Sequence, residues 1–184
     1  MAYSDKLAAF EFLLKQLENW YIEAFGSFEN NNLSRLKVFK IHFFVCTVSA
    51  KDESTNLLEV FNNFYALPFG PVESDVYNSI SELKYYRLGK DSLSIKNPFI
   101  NELDSPETEN KIKESIRILK ELNFDLIGAS AFELVNLSHT FDSWQRAYSF
   151  AKHLHKNSFK IPDNLIEVES LDLLLSHSSR EYAS

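Results

Sequence analysis

From Asp5 to Phe25 apolar residues recur at Leu7, Phe10, Leu14, Leu17, Tyr21 and Ala24. That three-and-four spacing stacks side chains on one helical face and predicts a helix, with Ser4 as its N-cap and Gly26 as its stop. A second helix follows a cap at Asn32 or Ser34 and runs to about Ser49 through Leu36, Phe39, Phe43 and Cys46. It is apolar on more than one face, which places it at the centre of the fold. Leu57, Val60, Phe61 and Phe64 predict a short third helix that breaks at Ala66-Leu67-Pro68-Phe69-Gly70-Pro71. A fourth begins at Pro71, whose ring presets φ for a first helical turn. It carries Glu73 and Asp75 at the positive end of the dipole and Val72, Val76, Ile80 and Leu83 on its buried face.

Farther along, alternation in Tyr86, Leu88, Leu93 and Ile95 around Gly89-Lys90-Asp91 predicts a small β-hairpin within residues 85–96. Ser105 as N-cap and Pro106 at the first position open a fifth helix, carried by Ile112, Ile116, Leu119 and Leu122. Ser130 with Glu133 forms a capping box for a sixth helix, and Asp142 with Gln145 an acidic version for a seventh. Beyond Pro162 the apolar run Leu171 to Leu175 predicts one more helix. The expected fold class is therefore mainly α, a compact multi-helix single domain with a small hairpin.

Composition narrows this further. Four Gly and five Pro in 184 residues supply few of the turns an all-β fold needs. The formal charge of −7 makes direct nucleic-acid binding an unpromising task, because a phosphate backbone calls for a basic surface. One cysteine, Cys46, allows no internal disulfide and suits a reducing compartment. No stretch is long and apolar enough for a membrane span and the N-terminus lacks a signal pattern, so the expected address is cytoplasmic.

Three groups of residues invite a chemical reading. His42 and Cys46 lie four apart on one helix, the spacing of a thiolate–imidazole dyad or half a zinc site, but Phe39, Phe43, Phe44 and Val45 around them describe a packed interior. His139, Asp142 and Trp144 gather at a helix junction, where an acid–base pair competes with simple capping of helix ends. His153 and His155, with Lys152, Lys156 and Lys160, make a basic patch at a helix C-terminus. No Gly-rich phosphate loop, nucleophile elbow, paired Cys motif or HExxH is present, and no catalytic residue, metal or cofactor is assigned. The sixteen Phe, eight Tyr and two Trp exceed the needs of an ordinary core of this size. Phe64, Tyr65, Phe69 and Tyr77 cluster around Gly70-Pro71 as possible interface anchors.

Three segments then point the same way: Leu33-Ser-Arg-Leu-Lys-Val-Phe-Lys-Ile-His-Phe-Phe, Phe64-Tyr-Ala-Leu-Pro-Phe-Gly-Pro-Val-Glu-Ser-Asp-Val-Tyr77, and Leu134-Val-Asn-Leu-Ser-His-Thr-Phe-Asp-Ser-Trp144. In order and spacing they resemble the Panacea domain, also called the SocA-like or phage-associated (GepA-type) domain. The resemblance spans about Leu33 to Ala151. It divides the chain into an N-terminal helix extension (1–32), the Panacea-like region (33–151) and a helical tail (152–184). A departure is Ile41-His42-Phe43, where the family usually has a Leu-Tyr-aromatic step. The resemblance implies a helical antitoxin that neutralises a cognate protein toxin by direct contact, with Phe64, Tyr65, Pro68, Phe69, Gly70, Pro71, Tyr77, His139 and Trp144 as motif residues of structural or partner-binding role. Two further readings stand beside it: a phage or mobile-element scaffold or regulatory protein without a toxin, and a small hydrolase or transferase using His139 and Asp142.

Overall fold

The computed structural model describes residues 5–48, 50–52, 55–98 and 103–169. The chain is mainly helical with small antiparallel sheets. Helix α1 (Asp5–Phe25) has the predicted bounds, and Leu7, Phe10, Leu14 and Leu17 are buried along its length. Helix α2 (Arg35–Thr47) starts at Ser34, whose hydroxyl accepts from the Lys37 amide at 3.2 Å. Every residue from Lys37 to Thr47 is buried, which confirms the central position read from its all-round apolarity.

The segment after α2 departs from expectation. Leu57 to Phe64 forms a single turn, closed by Phe61 N–H to Leu57 C=O at 2.8 Å, instead of a helix. Asn62 and Asn63 interrupt it, and the chain enters strand β1 (Phe64–Leu67). Pro68-Phe69 then turns it into β2 (Gly70–Glu73), paired antiparallel from Phe64↔Glu73 to Leu67↔Gly70. Pro68 and Gly70 are the residues favoured at the second and fourth positions of a type I turn. Gly70 takes φ +92°, which an L side chain rarely adopts. Pro71 consequently lies in a strand and not at a helix start. It is tolerated because β2 is an edge strand, so its missing amide hydrogen breaks no ladder. The helix comes three residues later, as α3 (Ser74–Asn78), with the Glu73 carboxylate capping the Val76 amide at 2.8 Å.

Strands β3 (Tyr86–Leu88) and β4 (Leu93–Ile95) form the expected hairpin. Helix α4 (Pro106–Leu122) is capped by Ser105 with Pro106 in its first turn, and α5 (Ala131–Ser138) shows both bonds of the Ser130–Glu133 capping box. Helix α6 (Asp142–His153) follows, capped at Phe141 without a side-chain bond. Asp142 is therefore no cap. It sits inside the first turn and pairs with Arg146 one turn on, at 2.6 Å. Strand β5 (Phe159–Lys160), unforeseen from the sequence, adds to β1 to give the order β2-β1-β5, and a short α7 (Asp163–Glu167) closes the described chain. Ser4 and the run Leu171 to Leu175 lie outside the described residues.

One apolar cluster runs from Leu7 to Ile166, with α2 at its axis. Phe10, Phe39, Phe43, Phe44, Phe64 and Phe141 are all buried there, Phe43 meeting Phe141 edge-on at 5.1 Å. Most of the aromatic surplus is thus core. No helix among the described residues is long and apolar enough to cross a membrane.

Candidate functional site

The β1–β2 hairpin is where the three sequence segments meet. From α2, the buried Lys40 donates its Nζ to the Pro71 carbonyl at 2.7 Å. From the α5–α6 junction, Trp144 donates its indole N–H to the Leu67 carbonyl at 3.0 Å, and His139 hydrogen-bonds to the Pro68 backbone. Gly70 faces Ser138, whose hydroxyl is engaged by the Val135 carbonyl at 2.8 Å. A Cβ at position 70 would run into that hydroxyl and approach Lys40 Cε at 3.0 Å. Glycine is required here twice over, for its φ and for the space.

Electrostatics in the corner follow from burial. Among the described residues the Lys40 ammonium hydrogen-bonds only to the Pro71 carbonyl, and desolvation pulls its pKa down to about 7. Burial, with Lys40 nearby, also holds the His139 imidazole below its ordinary value, although the Pro68 hydrogen bond opposes this. Its ring lies flat on Trp144 at 3.9 Å and 14° between planes. Tyr148 continues that stack at 4.9 Å, and Lys152 stands over Tyr148, so positions 144, 148 and 152 line one face of α6. Asp142 points elsewhere, exposed and paired with Arg146. His139 and Asp142 make no hydrogen bond to each other among the described residues.

The other sequence candidates separate. Phe64 is fully buried, Tyr65 half-buried beside Lys160, Phe69 exposed at the hairpin tip and Tyr77 part-exposed on α3 with its ring 5.4 Å from Phe39. The four aromatics therefore divide between core, tip and side of the hairpin. His42 is enclosed by Phe10, Phe39, Phe61 and Phe64, nearest to Phe61 at 4.4 Å, and burial drives its pKa down to about 3. Burial pushes the Cys46 thiol up, so the pair has no thiolate to offer. Among the described residues no group of three or more His, Cys, Asp or Glu gathers as a metal site would require. His153 ends α6 and His155 adopts φ 55°, leaving the Lys152–Lys156 patch exposed at that terminus.

Two residues of the corner escaped the sequence reading. Lys40 carried a signal, since it is a cation inside the otherwise apolar run Val38 to Val45. Ser138 stands in the third motif segment, but its contact with Gly70 depends on what packs against α5. Also unread was Lys6 of α1, which bridges Glu73 at 2.8 Å and Asp75 at 2.6 Å and so ties the first helix to the end of the hairpin.

Comparison with known proteins places this geometry. No curated protein and no solved structure matched the chain. The family model for "Antitoxin SocA-like, Panacea domain" matches residues 38–145, more than half of the sequence, and takes in α2 from its fourth residue on, the hairpin and the α5–α6 junction. The chain belongs to the antitoxin SocA-like, Panacea domain family.

Proposed function

We infer that this protein neutralises a cognate protein toxin by direct contact, without catalysis of its own. The observation that carries the reading is the way the motif segments bind one another. Lys40, His139 and Trp144 each hold a backbone group of the hairpin, and the remaining His139 nitrogen, Nε2, is buried without a hydrogen-bond partner among the described residues, so these side chains support a corner and do not open to solvent as a substrate site would. What the corner turns outward is aromatic: Phe69 at 59% exposure and Tyr77 at 41%. Large apolar side chains on a rigid turn are the kind of group that anchors a protein interface. The hydrolase or transferase reading needed His139 and Asp142 to converge, and each is engaged with a different neighbour.

Expression of the gene adjacent to this protein's own tests the proposal. Alone it should arrest growth, co-expression with this protein should restore growth, and the two products should co-purify. A harmless neighbour with nothing co-purifying would overturn it.

A further inference from the structure

Beside the hairpin lies a groove of about 410 Å³ whose charge is opposite to that of the molecule as a whole. Leu36, Phe39, Val72 and Tyr77 supply its apolar surface, with Arg35 and Lys90 among them and no carboxylate, although the chain carries 26 acids against 19 bases. Both cations are underused. Arg35 reaches the Leu88 carbonyl only at 3.4 Å, and its buried Nε has no partner among the described residues. Lys90, exposed in the β3–β4 turn, makes no ion pair among the described residues. Several cations elsewhere are held by acids, Lys6 by Glu73 and Asp75, Lys111 by Glu59 and Glu107, Arg117 by Glu114 and Glu121, whereas Lys37 and Lys40 are turned inward onto carbonyls.

We propose that this groove binds a segment of the partner toxin that presents an apolar side chain flanked by carboxylates. It rests on the toxin-binding reading above and deepens it. The guanidinium is a planar fork suited to a carboxylate, and the Arg35 side chain is only half-buried where it lines the groove. Tyr77, packed on Phe39, offers aromatic surface on which an apolar side chain would lose its water. The net charge of −7 acts at longer range and favours a basic partner overall. Because salt screens that field over about 10 Å, the groove can set register locally once the partner has arrived. The two charges thus serve different stages of one encounter.

Two end-blocked peptides, Asp-Glu-Leu-Phe-Asp-Glu and Lys-Lys-Leu-Phe-Lys-Lys, titrated into the full chain with backbone amide NMR shifts as readout, provide the test. The acidic peptide should bind about tenfold more tightly, with shifts centred on Tyr77 and Lys90. Lys90→Glu, an exposed turn substitution that leaves the melting temperature unchanged, should weaken it about fivefold, the upper range for an exposed ion pair. Equal affinity of the two peptides, no binding of either, or shifts centred elsewhere would each refute the groove. So would a concentration-dependent dimer dissolved by Lys90→Glu, which would assign the surface to a second copy of the chain. In the growth assay, a Lys90→Glu protein that rescues as well as the wild type sinks the groove and spares the toxin reading. Peptide binding in a protein that rescues no neighbour does the reverse.

Discussion

Among the described residues His42 has no hydrogen-bond partner on either ring nitrogen, and it packs among four phenyl rings, an environment in which an imidazolium would be uncompensated. The unfolded side chain titrates near 6.5, while burial, assisted by the charge of Lys6, holds the folded one at about 3. Between those values the unfolded chain binds a proton that the folded chain refuses. Stability contributed by the neutral ring is complete above 6.5 and is lost as pH falls toward 3. Urea denaturation of wild type and His42→Leu across that window should show the wild type losing on the order of 1 kcal/mol more per pH unit. Parallel curves would rule out the neutral-histidine account. The sequence showed His42 to be in a packed interior through its neighbours, but its lack of any partner depends on Phe10, Phe61 and Phe64 arriving from other elements.

At the level of elements, the hairpin depends most on one position. Gly70→Ala would put a methyl group at φ +92° and against the Ser138 hydroxyl, two penalties that together should lower stability by about 2 kcal/mol or more. Thermal melts check the size, and Gly70→Ala with Ser138→Ala separates the terms: the clash with the hydroxyl goes, the backbone strain and the tight approach to Lys40 stay, and only part of the loss should return. A Gly70→Ala protein that melts with the wild type would contradict the geometry. The hairpin was misread because Gly-Pro is also a helix-opening pair, and the local rule cannot distinguish the two. The choice was made by β5, nearly a hundred residues downstream, pairing with β1, and by Lys40 binding the Pro71 carbonyl. By contrast α4 and α5 announce themselves through Ser105-Pro106 and Ser130–Glu133, because a cap acts within three residues.

Across the whole molecule, α1 stands outside the family match yet is built into the core. Phe10, Leu13, Leu14, Leu17 and Trp20 are essentially inaccessible, and Trp20 donates to the Phe124 carbonyl at 3.2 Å. Glu11 accepts from the Tyr85 and Tyr86 amides, and the Tyr86 hydroxyl donates to Glu18 at 2.6 Å, so α1 also holds the second hairpin. We expect deletion of residues 1–32 to abolish cooperative unfolding, because the rest of the core would then expose the surface these residues cover. A truncated chain with a sharp thermal transition would show that α1 is an appendage.

Periodicity, caps and alternation act between residues a few positions apart, so the sequence alone determined α1, α2, α4, α5 and the β3–β4 hairpin, and through its motif segments the family. Tertiary structure decided that Gly70-Pro71 opens a strand, that Lys40 finds its partner 31 residues away, and that His139 lies on Trp144 in place of Asp142. Each of these turns on which buried group reaches an otherwise unsatisfied carbonyl or ring face, and only the packed chain brings those groups together.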